Sequence, residues 1–292
     1  MAPLSPAESL LLLKPNRTPA RETVKVTLLS LLAQGAVRME EQQTRRFFGT
    51  KKTVYVRPTA KRAALPPHAA ALLDLIHVAQ GYSGSMADLV TRAQKAYGTN
   101  LNGFNRDFIV PALLSRGLIE EGRILLFKTY KRTAAGDAEE SRIANDIARA
   151  RTIPELIRSN PAEAAAIILA VGGTILLVSE LRPYYRQISD VMRAQTASTD
   201  GSDSGGDGSP TWTSSDTHPA QPGDQHLDAT GLGAFDPGTF EHNSFDLSTF
   251  DAGAFDALDT GMASFDAGFD ASVSDAGGGD GGGGDGGGGG GD

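Results

Sequence analysis

Four basic residues bracket two adjacent phenylalanines in the run Arg45-Arg46-Phe47-Phe48-Gly49-Thr50-Lys51-Lys52. At the end of a hairpin, Phe47 and Phe48 cannot both face inward. Rings beside cations suit an anionic lipid surface, where aromatics enter the acyl boundary and Arg45, Arg46, Lys51 and Lys52 meet headgroups. The same set suits nucleic acid, with cations on phosphates and a ring stacked or wedged between bases. A third reading packs one ring beneath the hairpin and leaves the cations merely solvated. All three stay open on the sequence alone.

Bond-making chemistry has little to work with. The chain has no Cys, which excludes disulfides, thiol catalysis and Cys-ligated zinc. Its five histidines are His68, His77, His218, His226 and His242. No H-E-x-x-H, G-x-S-x-G or G-x-x-x-x-G-K-[ST] pattern occurs; Gly81-Tyr82-Ser83-Gly84-Ser85 fails at its last position. His77, on an apolar helix, reads as a core histidine. The expectation is a non-enzymatic protein that works by binding, with no cofactor and no metal site.

The charges are sorted along the chain. Of 35 acidic residues 18 lie beyond residue 199, whereas the last of 27 basic residues is Arg193. The net charge of −8 is therefore +10 on residues 1–199 and −18 on the remainder. Such asymmetry points to an anionic partner for the head, membrane or nucleic acid, with an acidic appendage. Gly dominates that appendage, and its single-signed composition cannot offset the entropy of ordering, so residues 197–292 read as a disordered tail. Phe recurs there on a five-residue beat at Phe235, Phe240, Phe245, Phe250, Phe255 and Phe265, each followed by an acid. Phe269-Asp270 falls off the beat. The tail is expected to contact the basic head within the same chain and to compete there with anionic partners.

Residues 164–178 (AAAIILAVGGTILLV) carry no charge. At ~1.5 Å per residue such a helix reaches about 22 Å, short of a ~30 Å hydrocarbon core. Stretching it to residues 161–181 admits Glu163 and Glu180. A buried core helix and a membrane span are both open readings. The expected location is the cytoplasmic face of a membrane, peripheral or single-pass.

These features need elements to place them. Ser5-Pro6-Ala7-Glu8 is a capping box with Pro at the first helical position. Thr18-Pro19 opens a helix whose Val24, Leu28, Leu31 and Leu32 share a face, and Gly35 ends it. Short β-runs at 36–39 and 53–57 follow, joined by the basic loop. Helices are expected from Pro67 to Gln80 and from Ser85 to Tyr97. Leu113-Leu114-Ser115-Arg116-Gly117-Leu118-Ile119 then echoes Leu31-Leu32-Ala33-Gln34-Gly35-Ala36-Val37. Strands at 118–120 and 123–129, turning at Gly122, would complete a second copy. Pro111 marks a kink or a start in the helix before it. Helix, Gly stop and hairpin form the pattern of a winged-helix module, here twice. Asp137 with Glu140, Thr152 with Glu155, and Asn160-Pro161 with Glu163 mark later helix starts. The fold class is thus mainly α with short β-hairpins: two winged-helix-like units in residues 1–135, a helical segment in 136–196, then the tail. Sequence-specific DNA reading is thinly provided for. Only Arg21, Lys25 and Gln34 in one candidate helix, and Asn102, Asn105 and Arg106 in the other, suit base or phosphate contacts.

The order of these motifs resembles the Golgi phosphoprotein 3 family, a helical lipid-binding fold. Residues 4–13 (LSPAESLLLL) are similar to the family's opening acidic-leucine helix. Residues 31–41, 71–76 (ALLDLI), 113–121 and 124–127 (ILLF) resemble its helix-to-strand junctions, central helix and second strand. The resemblance implies recognition of phosphatidylinositol 4-phosphate and a buried setting for residues 164–178. The family uses a Trp before its second helix and several Arg. The head of this chain has no Trp, since Trp212 lies in the tail, while Lys25 and Arg106 fall near the expected basic positions. A second resemblance is to bacterial membrane proteins with winged-helix-like repeats, one hydrophobic helix and a Gly-rich tail.

Overall fold

The first helix, α1 (Pro6–Leu13), begins as its sequence requires. The Ser5 amide donates to the Glu8 carboxylate at 2.7 Å and the Glu8 amide donates to the Ser5 hydroxyl at 3.2 Å. The computed structural model describes residues 3–46, 49–60, 65–80, 84–124, 127–199 and 257–275. It is mainly helical, with two small antiparallel two-stranded sheets.

Helix α2 (Ala20–Ala33) runs through the middle of the protein and is buried on nearly every side. Val24, Leu28, Leu31 and Leu32 all lie in the core. Each such side chain contributes roughly 1.5–3 kcal/mol relative to exposure. The helix stops at Gly35, whose φ of 65° is open to Gly at little steric cost. The Ala36 amide donates to the Leu31 carbonyl and the Gly35 amide to the Leu32 carbonyl, both at 2.9 Å. That pair of bonds is a Schellman cap. The second copy repeats it: Gly117 has φ 66°, Leu118 donates to Leu113 at 3.0 Å and Gly117 to Leu114 at 2.9 Å.

Each cap feeds a hairpin. Strands β1 (Val37–Arg46) and β2 (Gly49–Pro58) pair from Val37↔Pro58 to Arg46↔Gly49. They are about twice as long as the apolar runs that announce them. Among the described side chains only Val37, Met39, Val54 and Val56 are buried; beyond Glu41 the ladder continues with Gln42 to Arg45 exposed on both faces. In the second hairpin, β3 (Ile119–Ile124) pairs with β4 (Phe127–Arg132). Gly122 is therefore opposite Thr129 within the ladder, not at the turn that its residue type suggests. Burial of Ile119 and a bond from the Thr133 amide to the Leu118 carbonyl at 3.1 Å anchor this register from its other end.

Helices α3 (Pro67–Gln80) and α4 (Met86–Tyr97) match their sequence boundaries, with Ser85 accepting from the Asp88 amide at the start of α4. Then α5 (Asn102–Phe104) passes through a π turn (Asn105–Ile109) into α6 (Val110–Ser115). Pro111 has no amide hydrogen to donate, and the wider turn just before it accommodates the missing bond. Phe104 is fully buried, with Tyr97 edge-on at 5.4 Å and Phe108 at 5.6 Å.

Helix α7 (Ala134–Ala150) starts three residues before the expected Asp137, because the Thr133 hydroxyl caps it by accepting from the Gly136 amide at 3.1 Å. Next come α8 (Ile153–Ser159) and α9 (Pro161–Val171), the latter capped by the Asn160 side chain at Glu163. The apolar run does not continue as one helix. Gly172, at φ 55°, ends α9, and 3₁₀ turns at Gly172–Leu177 and Ser179–Tyr184 lead into α10 (Tyr185–Thr199). At ~1.5 Å per residue α9 reaches only about 16 Å. Among the described residues no helix is long and apolar enough to cross a membrane. Ala164, Ala165, Ile168, Val171, Ile175 and Leu176 are buried in the core shared with α1, α2 and α7.

The tail departs from expectation at one place. Residues 258–275, read from composition as part of a disordered stretch, form helix α11 (Leu258–Asp275), packed on α4, β1 and β2. Leu258, Met262, Phe265 and Phe269 recur at helical spacing and are all buried. Residues 197–199 continue α10, and residues 200–256, with the Phe235–Phe255 beat, and 276–292 lie outside the described residues.

Candidate functional site

Of the eight residues singled out from sequence, the six that are described fall in three places. The first is the far end of the β1–β2 hairpin. Register pairs Gln43 with Lys52, Thr44 with Lys51, Arg45 with Thr50 and Arg46 with Gly49. The four cations therefore lie on the strands themselves, two on each, rather than in a loop. Alternation puts Arg45 and Lys52 on one face. Arg45 is exposed, and Lys52, 57% exposed, meets the Glu41 carboxylate at 2.9 Å. The hydrogen bond from Lys52 holds the Glu41 carboxyl below its ordinary range. Water and salt screen such an exposed pair, so it holds Lys52 only weakly. Phe47 and Phe48, and the side chains of Arg46 and Lys51, lie outside the described residues.

Lys25 is elsewhere. It stands on α2, only 9% exposed, with its ammonium 2.5 Å from Asp266 and 3.3 Å from Glu22. The same ammonium lies 5.9 Å from the centre of the Phe265 ring. Helix α11 thus covers the residue that the family resemblance offers as a headgroup ligand. Nothing in its local sequence signals this, because the covering residues are more than two hundred positions away.

Arg106 occupies a third place, on the π turn. Its guanidinium grips Asp107 through two bonds, 2.6 and 3.1 Å long, which hold the Asp107 carboxyl below its usual value. It borders a cleft of about 400 Å³ with Asn16, Asn102, Asn105, Lys128 and Tyr130. Asn16 closes one wall as a side-chain stand-in for a strand. Its amide nitrogen donates to the Tyr130 carbonyl at 2.7 Å, and its oxygen accepts from the Tyr130 amide at 2.9 Å.

The core setting expected for His77 is not found. His77 is exposed, while His68 is buried beside Phe104, with ring centres 6.5 Å apart. Burial pushes the His68 imidazole down to about 4, against a smaller upward pull from Glu8. Its place near the start of α3, turned inward, fits a core role; the others, His218, His226 and His242, lie outside the described residues. Among the described residues no group of three His, Asp or Glu converges in a way that would hold a metal ion. No protein-family model, curated protein or solved structure matches this chain.

Proposed function

We propose that this is a non-enzymatic, membrane-associated protein that binds anionic lipid headgroups through the far end of the β1–β2 hairpin. The observation that carries the reading is the projection of that end: Gln42 to Arg45 are exposed, as are Thr50 and Lys52, and cations occupy both paired strands. Only Phe47-Phe48 connects Arg46 to Gly49 in the sequence. Two-residue hairpin connections favour Asn-Gly, Asp-Gly or Gly-containing pairs, so two aromatics there answer to something other than turn geometry. The second hairpin repeats the theme, with Leu125-Leu126 between strand ends that pair Arg123 with Lys128. In this reading each helix, Gly cap and hairpin is a winged-helix-like unit whose wing touches the lipid surface. The likeness to the Golgi phosphoprotein 3 family adds a phosphoinositide-type headgroup as the first ligand to try.

The test is co-sedimentation of the full chain with vesicles of phosphatidylcholine alone or containing an anionic lipid. Neutralising two cations, in an Arg45→Gln, Lys52→Gln variant, should cost ~1 kcal/mol per charge, or about 30-fold in affinity for anionic vesicles only. Replacing Phe47 and Phe48 by Ser should weaken binding to anionic vesicles further, through lost ring insertion. Unchanged vesicle binding in both variants, with affinity for duplex DNA falling instead, would transfer the hairpin to a nucleic-acid partner.

A further inference from the structure

Helix α11 has a sequence that should not be helical in water. It contains Gly261 and Gly268 within its span, together with Asp, Ser, Thr and Val at many positions. Its buried stripe explains why it forms. Leu258, Gly261, Met262, Phe265 and Phe269 face a groove walled by α4, β1 and β2, with α2 at its charged rim. Gly261 serves the close approach, whereas Gly268 leaves room for a side chain at ordinary contact distance. A Cβ on Gly261 would stand 2.6 Å from the Met39 sulfur, and one on Gly268 would stand 3.5 Å from the Ala87 Cα. At the rim, Lys25 meets Asp266 at 2.5 Å and lies over the Phe265 ring. Arg21, four residues earlier on α2, places its guanidinium 5.8 Å from the centre of the Phe269 ring.

The two cations on α2 and the two rings on α11 share one spacing. Four residues advance a helix by about 400°, which leaves both rings on one face; five advance it by about 500° and turn the second ring away by about 140°. Phe265 and Phe269 are four apart, whereas Phe235, Phe240, Phe245, Phe250 and Phe255 are five apart. Phe269, the one that falls off the beat, is the ring that pairs with Phe265 in the groove.

We propose that the groove of α4, β1, β2 and the α2 rim is a recognition site for an acidic-aromatic helix with Phe-Asp pairs four residues apart. Its occupant is the chain's own Leu258–Asp275, which folds as it docks, covers Lys25 and sets the Phe269 ring beside Arg21. This site is distinct from the hairpin end and stands independently of the lipid reading.

The experiment uses the full chain and a fluorescent peptide of residues 256–275. Wild-type protein, with its groove filled in cis, should bind the peptide at least tenfold more weakly than a Phe265→Ser, Phe269→Ser variant whose own helix is released. Lys25→Glu in the released variant should lower peptide affinity about tenfold, and a peptide carrying Asp266→Lys should recover it. A peptide with one Ala inserted after Asp266, giving five-residue spacing, should not bind. Equal binding by wild-type and released proteins, or by the inserted peptide, would overturn the proposal. Should the released variant fail to fold, hydrogen exchange on the wild-type chain decides. Amides of 258–275 are expected to exchange through a local opening well before those of α2. Exchange of both segments only by global unfolding would show α11 to be an integral core helix, and the proposal would fail.

Discussion

Replacing Gly136 by Ala is expected to destabilise the protein by about 3 kcal/mol, although helix propensity alone predicts a gain of about 1 kcal/mol. Gly136 lies in the first turn of α7, its amide bonded to the Thr133 hydroxyl. A Cβ there would overlap the Leu118 carbonyl oxygen and stand 3.0 Å from the Leu118 carbonyl carbon. Both are backbone atoms. That carbonyl also accepts from the Thr133 amide, and the Thr133 hydroxyl donates to the Gly117 carbonyl at 2.6 Å. The start of α7 is thus clamped to the Gly cap of the second hairpin, and neither side can yield cheaply. Urea denaturation of G136A beside Ala135→Gly separates the effects. Ala135 is exposed on the same turn, so its replacement should show only the propensity cost, about 1 kcal/mol. A G136A protein as stable as wild type would mean that the two segments can part without penalty.

The second large effect is a dependence of stability on pH that one residue imposes. His68 is buried and its folded pKa, about 4, lies below the ordinary value of 6.5. A depressed group favours the folded state fully above its unfolded pKa. As pH falls below 6.5 the unfolded chain takes up a proton that the folded chain refuses. Stability is therefore lost progressively until the folded pKa is reached, by roughly 3 kcal/mol in all. Between about pH 7 and pH 5, where most carboxylates remain ionised, the expected loss is about 2 kcal/mol. A His68→Gln variant should be less sensitive over that window, whatever its stability at neutral pH. Parallel slopes for the two proteins would show that the buried imidazole accepts its proton in place, with Glu8 as the compensating charge.

What the residues determine by themselves is local. The capping box at Ser5, the cap at Asn160 and the helix-ending glycines Gly35 and Gly117 follow from short-range sterics and hydrogen bonding, which depend only on neighbours in sequence. The inward face of α2 and the ends of α3 and α4 were legible for the same reason. So was the repeat of helix, glycine and hairpin, because each copy carries its own signal. The length of β1 and β2 was not. From Glu40 to Arg46 the strand has no apolar alternation, and its backbone is ordered by the partner strand rather than by its side chains. The turn of the second hairpin also misled, since Gly122 permits a turn without requiring one.

Long-range contact decided the rest. The apolar run at 164–178 is compatible with a continuous helix, and Gly172 breaks it where the chain must fold back into the core around α1 and α2. His68 and His77 share a helix of similar character; the opposing Phe104 marks the side that is buried. Lys25 reads as an available cation until Asp266 and Phe265 arrive from the far end of the chain. Helix α11 is the fullest case. Its glycines and acids lower its own helical stability, so composition assigns it to the tail, and only the groove supplies the burial and countercharge that order it. Sequence sets which local structures each segment can adopt, whereas tertiary burial selects among those whose free energies differ by no more than a few kcal/mol.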